Sequence, residues 1–276
     1  MPWEAKQTLA ALERVWEGWQ QDLFPTRESC TFCGHYGRDS PVLSGICRPC
    51  REAWYALRRD GRVCPRCGSF TWGSACLGPC VETQSDWAAE SGGLRGVCSA
   101  VPYSGMYRQG MMAFKYNGLH ALAVPYGCLM AMAWRQAGPF AASRRDRAQG
   151  LPLLVPVPLF PAKEKARGYN QSYLLATEVG KRLGWPVADI LARTQAGQSQ
   201  AGLDRQKRHI ALTRVFSLRK DTPLPPKAFE RPVVIVDDVI TTGTTLEVCS
   251  RLLHEAGFST VAAMVFAGSD GRKMQR

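Results

Sequence analysis

The residues best suited to chemistry lie in the segment VVIVDDVITTGTTL, residues 233–246. Four β-branched residues lead into Asp237 and Asp238, and a threonine-rich turn around Gly243 follows. A helix that begins at residue 244 or 245 would leave the amides of residues 242–245 free at its positive end, where anions bind. Carboxylates instead accept hydrogen bonds from vicinal hydroxyls and attract divalent cations. The segment predicts a ribose 5-phosphate site, with the two acids for the sugar and, for the phosphate, Thr241, Thr242, Gly243, Thr244 and Thr245.

The common nucleotide-binding motifs fit this chain less well. The sequence has no G-x-x-x-x-G-K-[ST] motif, and no G-x-G-x-x-G follows a predicted strand. A strand followed by an ordinary capped helix would explain one threonine but not the two acids.

Eight of the eleven cysteines fall in four closely spaced pairs, a spacing typical of thiolate metal sites. In a chain without a secretory signal, zinc explains them better than disulfides. Glycine follows the first and third pairs, at Gly34 and Gly68, as in a knuckle whose backbone turns back. This alternation favours two structural zinc ions, although interleaved pairing or a single filled site stays open. The predicted ligands are Cys30, Cys33, Cys47 and Cys50 for one ion and Cys64, Cys67, Cys76 and Cys80 for the other.

The composition, with 45% apolar and 21% charged residues, is that of a soluble globular protein, and the formal net charge is +12. Residues 143–219 carry fourteen Lys or Arg and five Asp or Glu, a local net charge of +9. Such a surface favours nucleotides or nucleic acid as partners, although a basic face that serves only solubility is an equal alternative on charge alone. The longest apolar run, residues 119–134, is too short to span a membrane, and no secretory signal is evident. We therefore expect a cytoplasmic protein without a membrane span.

The hydrophobic pattern predicts three regions. Apolar positions at helical spacing predict an N-terminal helix over residues 1–24. A zinc-binding module with two four-cysteine sites follows at residues 25–85, and a glycine-containing stretch at residues 91–93 predicts the boundary with a larger domain at residues 96–270.

The larger domain alternates strands and helices. Its predicted strands are residues 97–103, 153–157, 233–236 and 261–266, and its predicted helices are residues 119–137, 171–183 and 245–256. Continuous apolar strands alternating with amphipathic helices predict an α/β fold, a parallel sheet covered by helices on both faces. Ligands of such sheets bind at the carboxyl ends of the strands, where Asp237 and Asp238 would project.

The segment at residues 233–246 resembles the phosphoribosyl pyrophosphate signature of type I phosphoribosyltransferases. The other motifs follow the order found in the ComF/GntX family, which is linked to natural competence, the uptake and handling of transforming DNA. They are CTFCG, CPRCG, FKYNG (114–118), VPVPL (155–159), ARGYNQS (166–172) and QAGLDRQKR (200–208). The resemblance covers about residues 23–267 and implies a phosphoribosyltransferase type I fold.

By this resemblance, Asp237 and Asp238 hold the ribose 2- and 3-hydroxyls and residues 241–245 hold the 5-phosphate, with Mg²⁺ bound alongside phosphoribosyl pyrophosphate. The loop that opens a helix at ARGYNQS places donors for the pyrophosphate, although a helix cap by Asn170 or Ser172 is the alternative. The polar, basic residues 193–208 suit a lid. The predicted pyrophosphate ligands are Lys115, Arg167, Gly168, Asn170 and Gln171, and the catalytic candidates are Asp237, Asp238 and Arg167.

The sequence also departs from its relatives. Purine-salvage transferases have an acid, often assigned as the general base, where this chain has Thr241. Lys163 and Lys165 stand where relatives have arginines, and Ala211 stands where an asparagine often follows the lid.

Two functions follow from these observations. The first is a competence protein that binds phosphoribosyl pyrophosphate and single-stranded DNA, with DNA-processing proteins as candidate partners and Tyr169, Tyr173 and Trp185 as candidate stacking groups. The alternative is an active phosphoribosyltransferase of nucleobase or related metabolism, for which no acceptor can be named.

Overall fold

The computed structural model describes residues 29–34, 44–72, 76, 93–139, 150–194, 215–219, 222–225 and 227–271. The chain divides into two compact units, Met1–Trp54 and Tyr55–Arg276. Several predicted features lie outside the described residues, namely the helix at residues 1–24, Cys80 and most of the predicted lid at residues 193–208. Among the described residues, no helix has the length and apolarity needed to cross a membrane.

Six α-helices and eight strands make up the described chain. The helices are α1 (Arg48–Asp60), α2 (Gly105–Tyr116), α3 (Ala123–Ala137), α4 (Pro161–Arg167), α5 (Gln171–Leu183) and α6 (Thr244–Glu255). The strands are β1 (Arg62–Val63), β2 (Phe70–Thr71), β3 (Leu94–Pro102), β4 (Leu153–Pro156), β5 (Leu191–Arg193), β6 (Phe216–Leu218), β7 (Val233–Val239) and β8 (Val261–Gly268).

The central sheet has four parallel strands in the order β3–β8–β7–β4. Strands β7 and β8 are almost wholly buried, as expected for continuous apolar runs between two layers. The α/β fold predicted from the sequence is confirmed. Strands β1 and β2, and likewise β5 and β6, form separate antiparallel pairs.

The two faces of the sheet are packed by different residues. On one face, Val233 and Ile235 of β7 join Leu246 and Leu253 of α6 in a core that also includes the β5–β6 pair. On the other face, the ring of Phe266 stacks on that of Tyr126 in α3 at 3.9 Å between centroids. Helices therefore cover both faces.

The sequence pattern missed part of this arrangement. It predicted no helix at residues 105–116, because the helix buries only Met111 and Phe114 and most of its other apolar side chains are exposed or half-exposed. It also ended strand β7 at residue 236, whereas the strand continues through both acids to Val239 because β8 pairs with it that far. The helix predicted at residues 171–183 has those bounds in the structure.

Helices α3 and α5 pack closely through Gly127. A Cβ atom at Gly127 would lie 2.5 Å from Cβ of Glu178 and 3.3 Å from its backbone carbon. Neither of those atoms can rotate away, so the helices would have to separate.

We expect Gly127→Ala to destabilise the protein by roughly 1–3 kcal/mol, because the cost of overpacking exceeds the gain of about 1 kcal/mol in helix propensity. Chemical denaturation followed by circular dichroism measures the change. Val124→Ala, at an exposed position of the same helix, is the control and should stay within about 0.5 kcal/mol of the parent. A stabilised Gly127→Ala variant would contradict the close packing.

Candidate functional site

Strand β7 extends beyond the end of its neighbour β4. Pairing with β4 stops at Pro156 and Val236, whereas pairing with β8 continues to Val239. Asp237 and Asp238 therefore lie past the end of β4. Because successive side chains of a strand point to opposite faces, the two carboxylates leave the strand in different directions.

Asp237 is held by two hydrogen bonds. Its Oδ1 atom accepts one from the Ser172 hydroxyl at 2.9 Å and one from the backbone amide of Asp238 at 2.8 Å. Burial and the neighbouring Asp238 charge raise the pKa of Asp237 to about 7, although these bonds and the Lys115 charge oppose the shift. The Asp237 carboxyl can therefore exchange a proton near neutral pH.

Asp238 is paired with Lys115, the lysine of the FKYNG motif at the end of α2. The Lys115 Nζ atom lies 2.7 Å from Oδ1 of Asp238, and both side chains are mostly buried. Burial alone would lower the pKa of Lys115, but Asp238 and, more weakly, Asp237 raise it above its ordinary value. Lys115 is therefore charged in the site and compensates the two acids.

The threonine turn follows directly at the start of α6. Gly243 is the N-cap of this helix and has φ +82°, a left-handed conformation that favours glycine. The Thr242 and Thr244 hydroxyls lie 3.1 Å apart, and Thr241 and Thr242 are exposed while Thr245 is half-buried. Since the first amides of a helix have no partner within it, the turn presents donors to an anion beside the two carboxylates.

The ARGYNQS motif forms the turn between α4 and α5, with Gly168 at φ +86°. The Asn170 carboxamide accepts a hydrogen bond from the Ser172 amide at 3.0 Å and donates to the Val157 carbonyl at 3.1 Å. Asn170 is therefore the N-cap of α5, the role that the sequence analysis gave as the alternative to ligand binding.

Gln171 is only 2% exposed, and its Nε2 atom has no hydrogen-bond partner in the described part of the chain. A buried amide donor in this state calls for an acceptor that a ligand could supply.

Arg167 ends α4 and lies against α2. Its guanidinium carbon is 5.3 Å from the centre of the Tyr116 ring, a cation–π arrangement. This contact joins the ARGYNQS turn to the residue that follows Lys115.

Three residues of the site were not selected from the sequence. Ser172 binds Asp237, and Tyr116 binds Arg167. Arg193, at the end of β5, lies over the Phe216 ring at 5.3 Å, and its buried Nε atom has no hydrogen-bond partner among the described residues. Burial lowers the pKa of Arg193, opposed by the charges of Cys249 and Asp237. Each had some sequence signal, since Ser172 belongs to the ARGYNQS motif, Tyr116 to the FKYNG motif and Arg193 to the predicted lid.

Two groups of cysteines have a geometry that could hold metal ions. In each group the Sγ atoms lie within 4.8 Å of one another, and the groups are sequential rather than interleaved. Four sulfurs at about 2.3 Å from a tetrahedral zinc ion would be roughly 3.8 Å apart. The Sγ atoms of Cys33 and Cys47 are 3.6 Å apart, as are those of Cys67 and Cys76, so both groups fit zinc. The groups are Cys30, Cys33, Cys47 and Cys50, and Cys64, Cys67 and Cys76; Cys80 lies outside the described residues.

The second cysteine group is built onto the sheet of its own unit. The Phe70 amide donates to the Ser269 carbonyl at 2.8 Å, and the Trp72 indole donates to Asp270 at 2.9 Å, just after β8. Gly68 and Gly268 approach so closely that a Cβ at Gly268 would lie 2.1 Å from the Gly68 carbonyl oxygen. We expect metal bound here to support the end of β8.

We expect the purified chain to contain zinc, and Cys33→Ala and Cys67→Ala each to lose about one equivalent, since a structural site needs its four ligands. Inductively coupled plasma mass spectrometry measures the metal content. Cys128→Ala is the control, because Cys128 belongs to neither group. Unchanged zinc content in both ligand variants would contradict the assignment.

The raised pKa of Asp237 predicts a pH-dependent stability. From its ordinary value of 3.8 the pKa rises to about 7 on folding, so the folded state binds the proton more tightly. This contribution to stability is complete below pH 3.8 and is lost as the pH rises towards 7. Asp237→Asn keeps an oxygen acceptor for Ser172 and should stabilise the protein at pH 8 by up to a few kcal/mol, because each pKa unit corresponds to about 1.4 kcal/mol.

Thermal melts between pH 4 and pH 8 measure this difference, which should shrink towards the acid end. Glu230→Gln, which removes an exposed carboxylate, controls for the loss of charge. An Asp237→Asn variant that is less stable than the parent at pH 8 would sink the prediction.

Comparisons with known proteins agree with this geometry. The phosphoribosyl transferase domain family matches residues 170–276, which include the last three residues of the ARGYNQS motif, both acids and the threonine turn. The chain is 31% identical over 222 residues to the DNA utilization protein YhgH of Shigella flexneri, covering 79% of this chain and 87% of the relative. It is 27% identical over 225 residues to Competence protein F of Haemophilus influenzae, covering 79% and 88%.

A third relative is Competence protein ComFC of Bacillus subtilis, which is 24% identical over 212 residues, covering 77% of this chain and 79% of the relative. The similarity therefore extends over most of each relative and well beyond the phosphoribosyl transferase match. With its sequential cysteine groups, parallel sheet and paired acids, the chain belongs to the ComF/GntX family of competence and DNA-utilization proteins.

Proposed function

We propose that this ComF-type protein binds phosphoribosyl pyrophosphate with Mg²⁺ and single-stranded DNA, as a cytoplasmic component of DNA handling in natural transformation. The observation that carries the proposal is the juxtaposition of Asp237 and Asp238 with the threonine turn at the end of β7. A ribose 5-phosphate carries a vicinal diol at one end and a phosphate at the other, in the same arrangement as the carboxylates and the threonine turn. The carboxylates suit the diol and the helix amides suit the phosphate.

Each group of the site has a role in this binding. The carboxylates of Asp237 and Asp238 accept hydrogen bonds from the ribose 2- and 3-hydroxyls. The amides and hydroxyls of residues 241–245 bind the 5-phosphate. Lys115, Arg167 and Gln171 contact the pyrophosphate, Gln171 through the buried amide that has no partner among the described residues. Mg²⁺ neutralises charge on the pyrophosphate and is attracted by the same two carboxylates.

Lys115 has two anionic partners within this scheme. Its first partner is Asp238, with which it pairs at 2.7 Å. When a sugar hydroxyl donates a hydrogen bond to the Asp238 carboxylate, the flexible Lys115 side chain, next to Tyr116 in the chain, turns towards the pyrophosphate. The ion pair therefore holds the Asp238 and Lys115 side chains in place until the ligand binds.

The DNA part of the proposal is supported by charge and by the relatives. Residues 143–219 carry the local net charge of +9, and phosphate contacts by such side chains dominate nucleic-acid affinity. Two of the stacking groups suggested by the sequence are engaged elsewhere, since Tyr169 donates to the Phe114 carbonyl and Trp185 packs edge-on against Trp134. Tyr173 is 44% exposed and stays a candidate.

An active phosphoribosyltransferase is the second candidate function. The observation that favours it is the pKa of Asp237 near 7, because such a carboxyl can take up or release a proton at neutral pH. Thr241 offers no general base for a purine acceptor, and no residue set in the chain names another acceptor.

Isothermal titration calorimetry with phosphoribosyl pyrophosphate and Mg²⁺ tests the proposal. We expect Asp238→Asn to weaken binding at least tenfold, because it replaces one carboxylate oxygen by an NH₂ donor and removes the charge that pairs with Lys115. Asp189→Asn is the matched control, since Asp189 is another partly buried carboxyl with a basic partner, Arg219 at 3.2 Å.

No heat with the parent chain, or equal affinity of the parent and Asp238→Asn, would contradict the proposed site. Repeating the titration with single-stranded DNA present shows whether the two ligands compete. Pyrophosphate release from the same samples with a panel of nucleobases separates the enzyme from the binding protein, since only the enzyme releases it.

A further inference from the structure

Helix α2 presents an open groove beside the candidate site. The groove has a volume of about 600 Å³ and is lined along one helix face by Arg108, Gln109, Met112, Tyr116 and Asn117. Arg108, Met112 and Tyr116 are four residues apart, so they follow one another along the helix surface. The volume lies within the roughly 300–1,000 Å³ of pockets that bind small organic groups.

The groove leaves several large apolar side chains exposed. Tyr116 is 67% exposed and Met112 43% exposed, and Met106 at the start of the same helix is 53% exposed. Neighbouring exposed apolar side chains on one element indicate an interaction surface rather than scattered surface residues.

The charges beside the groove select an anionic partner. The sequence of α2, GMYRQGMMAFKY, contains two basic residues and no acidic one. Arg108 lies in the groove, and the Arg167 guanidinium lies over the Tyr116 ring at 5.3 Å. Aromatic rings and guanidinium planes are the surfaces on which unpaired nucleobases stack, and arginines beside them contact the phosphates.

The groove neighbours the candidate site along the chain. Tyr116 directly follows Lys115, whose Nζ atom contacts Asp238 at 2.7 Å.

We propose that the α2 groove stacks the bases of single-stranded DNA on Tyr116, with Arg108 beside the DNA phosphates. The inference rests on the proposed function for the identity of the polymer and adds the surface that receives it. An apolar peptide would fit this groove less well, because its binding would leave the Arg108 guanidinium without an anion.

Fluorescence anisotropy with the full-length chain tests the groove. The probes are a labelled oligothymidylate and an abasic strand of the same length and charge. Tyr116→Ala should weaken oligothymidylate binding about 5- to 150-fold, the range expected for the loss of one stacked base, and should leave abasic-strand binding unchanged. Tyr116→Phe keeps the ring and should bind as the parent does.

Two further variants control the result. Tyr55→Ala removes a tyrosine that is 48% exposed on α1 and should change neither affinity. Arg108→Ala should weaken the binding of both strands alike and lower the slope of log affinity against log salt concentration by about 0.7, because one phosphate contact to a single strand is lost.

The proposed stacking surface is overturned if Tyr116→Ala weakens the binding of both strands equally, or of neither strand, while the parent chain binds DNA. In that case DNA binding itself stands and its surface lies elsewhere. If the parent binds neither strand, the DNA part of the proposed function fails together with the groove.

Discussion

The rest of the site depends on one electrostatic constraint, the placing of two adjacent carboxylates, one half-buried and one buried, at the end of a central strand. Like charges at neighbouring positions raise each other's pKa, and burial adds to the effect. Asp237 shows both consequences, with a pKa raised to about 7. In the surrounding structure, Lys115 forms an ion pair with Asp238, and a hydroxyl and an amide donate hydrogen bonds to Asp237. Removing any of these groups would leave a buried charge less well compensated.

This constraint explains why distant segments meet at the end of β7. Lys115 arrives from α2, Ser172 from the first turn of α5, and Arg193 from the end of β5. Because the strand alternates, Asp238 meets the face that holds α2, and Asp237 meets the face that holds α6 and the β5–β6 pair. Cationic groups therefore lie near both acids, which a site built from one loop could not achieve.

The same groups are suited to exchange partners with a ligand. Sugar hydroxyls would replace protein donors on the acids, and a pyrophosphate would replace the acids as the partner of Lys115. The half-buried position of Asp237 lowers the stability of the chain. Ligand-binding sites commonly carry such a cost. The close approach of Gly68 to Gly268 ties the second cysteine group to the end of β8, the strand that pairs with β7 through both acids.

By itself the sequence determined the fold class, favoured the sequential cysteine grouping and predicted the two ends of the proposed ligand site. These follow from local patterns, since apolar runs, knuckle spacing and an acid–threonine segment are each complete within a few residues. It predicted helix α5 at its observed bounds but missed α2, whose apolar side chains mostly face outwards, and it ended β7 too early.

Only the tertiary structure decided which side chains surround the acids. It placed Lys115 on Asp238, made Asn170 a helix cap, left the Gln171 amide without a partner among the described residues, and laid Arg167 on Tyr116. Lys115 and Asp238 are 123 positions apart in the chain, so no local pattern could pair them. Strand order and the two faces of the sheet bring them together, and both depend on packing between segments far apart in the sequence.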